Sequence, residues 1–317
     1  MRIGLGSGRY GTIVPLTFTV PEAAVLHHLT VDSHRLAVWS CGTHRPGEPT
    51  VLIHGITHSI FFWAPDRTFA PYGPCFCLSL PDHYPAIGVP AERPLRPERY
   101  ADLLAGAVRT LTGGSPATLV GVSTGGFAAL AIAARAPQLA RRVVCISGFA
   151  QGRWIELFGF LQRLARGGPA GHALFRAFFQ TYLRTPELGQ RLILHSWANI
   201  TPRRSLRAYA DYPFFWEVHA AMLPALYQLD HDAMLAAFGA FPAVDITAWL
   251  PRVAAPTLVV GGEGDRVVPP EQARYLATHL PRAELLSIPG AGHLPHWEDY
   301  PRFRAALDAW MGRNAAV

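Results

Sequence analysis

The chain has 317 residues, half of them hydrophobic and 16% charged, a length and balance that suit one soluble open-sheet enzyme carrying an inserted segment. Its formal charge of +6 comes from scattered arginines, with Arg141-Arg142 and Arg203-Arg204 the only doublets. That scatter argues against a nucleic-acid partner, and the absence of lysine excludes a Schiff-base mechanism and a P-loop lysine. Four cysteines, Cys41, Cys75, Cys77 and Cys145, form no Cys-x-x-Cys pair and read as buried free thiols. Residues Met1 to Arg9 lack the apolar core of a signal peptide, which points to the cytoplasm. The uncharged stretch Thr110 to Ala134 is long enough for a membrane span. Its glycines and Pro116 indicate a buried strand plus helix, so no integral membrane segment is expected.

In chain order, strands are predicted near Val25 to Val31, Arg35 to Trp39, Thr50 to Ile53, Cys75 to Leu80, Ala117 to Val122, Arg142 to Ser147, Thr257 to Val260 and Glu284 to Ile288. The first two alternate and read as an antiparallel edge; the later ones are continuous apolar runs, typical of parallel strands covered on both faces. Helices are expected at Pro97 to Leu111, Gly126 to Ala136, Pro270 to His279 and Tyr300 to Met311. This alternation predicts an α/β fold with a doubly wound, mostly parallel eight-stranded sheet. Between Phe149 and about Pro242 the alternation stops and helical segments take over, at Arg153 to Ala165, Ala173 to Leu183, Glu187 to Trp197 and Glu217 to Leu229. Residues 1–150 and 243–317 are therefore expected to form the core, and 151–242 an inserted helical cap or lid.

Ser123 stands in Gly121-Val-Ser-Thr-Gly125, between an apolar strand and an alanine-rich helix. The two glycines allow a turn too tight for a Cβ, which lifts the serine hydroxyl clear of the sheet. The Thr124 N–H then opens the helix, where it can face a developing oxyanion. Two later turns follow strands: Gly261-Gly-Glu-Gly-Asp265 and Gly290-Ala-Gly-His293. An acid that orients an imidazole, and an imidazole that takes the serine proton, complete a nucleophilic triad. Asp245, Asp230 and Asp232 compete with Asp265, but Asp265 alone follows an apolar strand in a glycine-rich turn. His296 competes with His293 and reads as a packing residue of the same loop, while Glu298 is assigned a structural role capping or pairing with the final helix. Asp82-His83 has no third ligand at metal-binding spacing, so no metal is assigned.

With Ser123, Asp265 and His293 in that order, and His54-Gly55 after the strand Thr50 to Ile53 with Ser59 and Trp63 following, the chain resembles the α/β-hydrolase superfamily in its serine-nucleophile branch. The resemblance covers roughly residues 25–150 and 245–312. It implies a second oxyanion donor from the Ile56 N–H, and it implies no cofactor. Many members read Asp-x-Pro-Gly-x-Gly-x-Ser after the fourth strand; here Asp82 and Tyr84 occupy the two glycine positions, so that loop must follow another path. The aromatic-rich middle implies an apolar pocket, with Phe61, Phe62, Phe149 and Trp154 as candidate substrate contacts.

The expected activity is hydrolysis of a small-molecule carboxylic ester with an apolar moiety. Thioesterase, lactonase, carbon-carbon bond hydrolase and cofactor-free haloperoxidase share the same triad as alternatives. A non-catalytic ligand-binding protein is the reading from another class.

Overall fold

The computed structural model describes residues 24–86, 94–181 and 194–315. Eight strands form one sheet: β1 Val25–Val31, β2 His34–Cys41, β3 Thr50–Ile53, β4 Cys75–Leu78, β5 Ala117–Val122, β6 Ala140–Ile146, β7 Thr257–Gly262 and β8 Ala283–Ile288. Their spatial order is β1-β2-β4-β3-β5-β6-β7-β8. β2 pairs antiparallel with both β1 and β4, and the remaining pairs are parallel.

Pattern and position agree for β1 and β5. β5, at the centre, is buried along its whole length, whereas the edge strand β1 is largely exposed. β8 departs from the expectation of a strand covered on both faces: Glu284 and Leu285 are exposed, because β8 closes the other edge and has a neighbour on one side only. β4 stops at Leu78, two residues early. Beyond it the Ser79 N–H bonds back to the Ala37 carbonyl, and the chain turns at Asp82 with φ +63°.

Helices α1 Pro97–Thr112 and α2 Thr124–Arg135 cover the sheet with largely apolar faces. Between β6 and β7 lie α3 Glu156–Ala165, α4 Gly168–Thr181, a helical run at 194–199, α5 Phe215–Leu226 and α6 His231–Ala240. The expected helix Glu187 to Trp197 falls mostly outside the described residues. α6 is an element the periodicity did not reveal. Asp230 starts it, its side chain accepting from the N–H groups of Asp232 and Ala233 at 3.0 Å each, the usual work of an N-cap aspartate. After β7 come α7 Glu271–His279, the single turn α8 Pro295–Glu298, and α9 Tyr300–Arg313.

The helical segment is tied to the core by stacking and by buried polar links. Trp297 of α8 lies against Phe62, Trp197 and Tyr212, with ring centroids 4.5, 5.2 and 4.7 Å away. Tyr212 also donates its phenol to Asp66 Oδ2 at 2.8 Å, while Asp66 Oδ1 accepts from the Thr68 N–H at 2.7 Å. Burial pushes the Asp66 carboxyl up, and these donors pull it back down. Replacing Tyr212 by Phe removes one donor from a buried acid and should cost about 1–3 kcal/mol. Urea unfolding measures this; an unchanged midpoint would show that the bond does not hold the segment down.

Candidate active site

The turn between β5 and α2 is tight. A Cβ on Gly121 would fall on the Gly125 carbonyl, and one on Gly125 would strike the carbonyls of Ile53 and His54. The helix can therefore approach the strands this closely only with glycine at both positions. Ser123 between them takes φ +56° and ψ −118°, a strained conformation for a residue with a side chain. It is held there from both sides: its N–H donates to the Ile146 carbonyl at 2.8 Å, and its carbonyl accepts from the Phe127 N–H at 3.0 Å.

The turns after β7 and β8 pack back to back. A Cβ on Gly262 would collide with the Gly292 carbonyl, so glycine there lets the two loops close on each other, and one on Gly292 would collide with the Ile200 carbonyl of the helical segment. That closure brings His293 Nδ1 to 2.9 Å from Asp265 Oδ2 and 3.0 Å from Oδ1. Asp265 Oδ1 also accepts from the N–H groups of Val267 and Val268 at 2.8 and 3.0 Å, which fixes the carboxylate. An acceptor at this place selects the ring form with its proton on Nδ1 and leaves the lone pair on Nε2. Asp265 and His293 are 6% and 5% exposed, so their pairing is shielded from water. Asp245 instead bonds Gln151 and the Thr247 N–H, on the surface.

Ser123 and His293 open onto one cavity of about 280 Å³. Gly55 and Ile56 border it beside the serine; a Cβ on Gly55 would lie 3.5 Å from the Ser123 Cβ. Thr124 is the first residue of α2 and fully buried. Phe158, Leu161, Phe178, Phe179, Leu226 and Leu229 give the cavity much of its apolar lining, and the charged Glu156, Arg204 and Arg266 also border it. The four aromatics expected as substrate contacts are not in that lining. Phe149 and Trp154 are packed with Phe241, and Phe61 and Phe62 with Trp39 and Trp297 respectively. Their rings belong to the two apolar cores. The residues that replace them come from helices whose inner and outer faces both carry aromatics, so spacing alone does not separate wall from core.

His58 also lines the cavity, and sequence reasoning passed over it. Its ring stacks on Phe62 at 4.6 Å, and burial draws it down to about 3, so it is a neutral imidazole at ordinary pH. His54 is neutral for the same reason. Its Nδ1–H donates to the Gly55 carbonyl at 2.8 Å and its Nε2 accepts from the Leu80 N–H at 3.1 Å. His296 packs between Phe62, Trp63 and Phe303.

A family model, described as the alpha/beta hydrolase family, matches residues 50–306. The chain belongs to that family. It is a hydrolase fold by sequence as well as by shape. A pimeloyl-[acyl-carrier protein] methyl ester esterase of Neisseria meningitidis is 29% identical over 73% of this chain and 80% of its own length. A putative carbamate hydrolase, RutD, of Pseudomonas syringae is 35% identical, but over only 26% of this chain and 32% of its own. Among solved structures, a thermophilic esterase from Thermogutta terrifontis aligns over 92% of this chain and 99% of that one, with a TM-score of 0.66 and 23% identity. The enol-lactonase from Burkholderia xenovorans covers 90% and 100%, with a TM-score of 0.67 and 19% identity. At those identities the two structures show the fold alone. Among the described residues no helix is long and apolar enough to cross a membrane.

Glu298 does something other than what its place before the last helix suggested. That helix is capped by Asp299, whose side chain accepts from the Arg302 N–H at 3.3 Å. Glu298 reaches back and straps the His293 loop, accepting from the N–H groups of Gly292 at 2.8 Å and Leu294 at 3.2 Å. Burial lifts its carboxyl from 4.5 to about 7, against the pull of those donors. A folded-state value above the ordinary one means that the acid's contribution to stability is complete below pH 4.5 and is lost as pH rises through about 7. Wild type should therefore lose stability relative to Glu298→Gln across that window. Urea midpoints of both proteins from pH 4.5 to 8 measure the difference; parallel profiles would contradict it.

Proposed function

We propose that the protein is a serine hydrolase that cleaves a carboxylic ester with an apolar acyl group through an acyl-serine intermediate. The observation that carries this reading is the shared cavity: Ser123 and an Asp265-paired His293 open onto one chamber whose lining is mostly apolar. In the proposed reaction Ser123 Oγ attacks the ester carbonyl as His293 Nε2 takes its proton. The N–H groups of Ile56 and Thr124 receive the charge on the carbonyl oxygen. His293 returns the proton to the departing alkoxide, and a water activated by the same nitrogen then releases the acid. Asp265 holds the ring in the required form throughout.

The relative from Neisseria is named for a methyl ester of an acyl chain, which supports an acyl group on the apolar side and a small alcohol on the other. Thioester, lactone and carbon-carbon bond cleavage would use the same groups, as would a haloperoxidase; the ester is preferred on that name and on the mostly apolar lining. In this reading residues 151–242 act as a lid over a core made of 1–150 and 243–317, since α3, α4 and α5 all contribute side chains to the wall.

A fluorophosphonate probe should label wild type at Ser123 and leave Ser123→Ala unlabelled, while that variant loses roughly 10⁴-fold or more in kcat. Absence of labelling in wild type would leave a ligand-binding protein as the better reading. With p-nitrophenyl esters of increasing acyl length, each methylene taken into the cavity should add up to about 0.8 kcal/mol, or roughly fourfold in kcat/KM. The trend should reverse once the chamber is full. A flat profile from two to eight carbons would show that the wall does not hold the acyl chain.

A further inference from the structure

His83 lies in the loop after β4, directly after Asp82, which takes φ +63°. Its ring is 5% exposed and meets backbone oxygen at both nitrogens. Nε2 is 2.6 Å from the Ile56 carbonyl and Nδ1 is 2.7 Å from the Pro81 carbonyl. The His54 ring stands 5.1 Å away, and its Nδ1–H donates to the Gly55 carbonyl. The Gly55 carbonyl and the Ile56 N–H belong to one peptide group, and the Ile56 carbonyl belongs to the next. Both peptides that flank the Ile56 Cα are thus held by a buried histidine, and both histidines bond the stretch 80–81 after β4.

We propose that His83 is the positioning residue of the oxyanion hole: by holding the Ile56 carbonyl it fixes the residue whose N–H faces the reacting carbonyl. The proposal rests on the serine-hydrolase reading above. A donor stabilises a developing charge only if it is already aimed at it, because reorientation during the reaction would consume the gain. His54 fixes the plane of the donor peptide but leaves rotation about the Ile56 Cα open; a hold on the next carbonyl removes that freedom. With its proton on Nε2 the His83 ring donates to Ile56 across the shorter of its two contacts. Burial draws its basicity below the ordinary histidine range, while the two carbonyls and the charges of Asp82 and Asp230 act the other way. The doubly protonated ring would serve both carbonyls. The neutral ring serves one.

The experiment compares His83→Phe, which fills the space without a donor, with His83→Gln, which restores an N–H. His83→Phe should lower kcat roughly 10- to 100-fold, short of the 10²–10³ that loss of a whole donor costs, with KM near wild type. It should weaken a trifluoromethyl ketone, which forms the charged tetrahedral adduct, by the same factor. His83→Gln should recover most of both. If His83→Phe does not fold, His83→Asn, whose amide is too short to reach Ile56, takes its place beside His83→Gln. An unchanged kcat, a loss carried entirely by KM with the ketone unaffected, or a Gln variant as impaired as the Phe variant would each overturn the proposal. Fluorophosphonate labelling of wild type at Ser123 tests the underlying mechanism independently of these variants.

Discussion

The site depends on one close approach, that of α2 to the strands around the β5 turn. Nothing larger than hydrogen fits at Gly121 or Gly125, so the helix begins directly beneath the carbonyls that end β3. This contact does three things at once. It forces Ser123 into a backbone conformation that a relaxed loop would abandon, it places the start of α2 beside the serine, and it brings the loop after β3 within reach of the same side chain. The strain persists because the surroundings leave no alternative: both backbone groups of Ser123 are bonded, and α2 is buried along nearly its whole length. Because β3, β5, β6, β7 and β8 run parallel in sequence across the sheet, the turns after β7 and β8 emerge on the same side as the serine.

The histidines show how environment assigns chemistry to a residue type. His54, His58, His83 and His296 are all drawn down by burial and act as neutral packing or hydrogen-bonding groups. His293 is equally enclosed, but among the described residues it is the histidine whose ring meets a carboxylate, and that carboxylate is itself fixed by two backbone donors. In the proposed mechanism the base is the buried histidine that is held against a fixed carboxylate.

What could be read from the sequence follows from how local each constraint is. The strands were legible because a run such as Thr118 to Val122 has to be apolar wherever a parallel strand is covered on both faces, and the turns after β5, β7 and β8 because glycine is the one residue that allows them. Ser123, Asp265 and His293 were thus marked by their immediate neighbours. The cavity wall was not. Phe149, just before α3, and Phe158, inside it, are both aromatic, and only three-dimensional packing sets the first against Phe127 and the second on the chamber lining. α6 escaped notice because its buried residues, Ala233, Met234, Leu235 and Phe238, sit among alanines that give little contrast between its faces. Glu298 and His83 escaped for a related reason, since each acts on backbone groups that no side-chain pattern records.

The same packing links the proposed lid to the chemistry. Trp297 lies four residues beyond His293 and is fully buried between Phe62 of the loop after β3 and Trp197 and Tyr212 of the helical segment. Rings stacked at these separations cannot slide independently, because a small gap forfeits much of the dispersion that holds them. The His293 N–H also bonds the Ile200 carbonyl, just past the helical run at 194–199. The histidine loop is therefore built partly from the segment that walls the cavity. In the proposed mechanism, a change in that segment large enough to alter which substrates fit would also move the proposed base, so pocket shape and proton transfer would be set by one set of contacts.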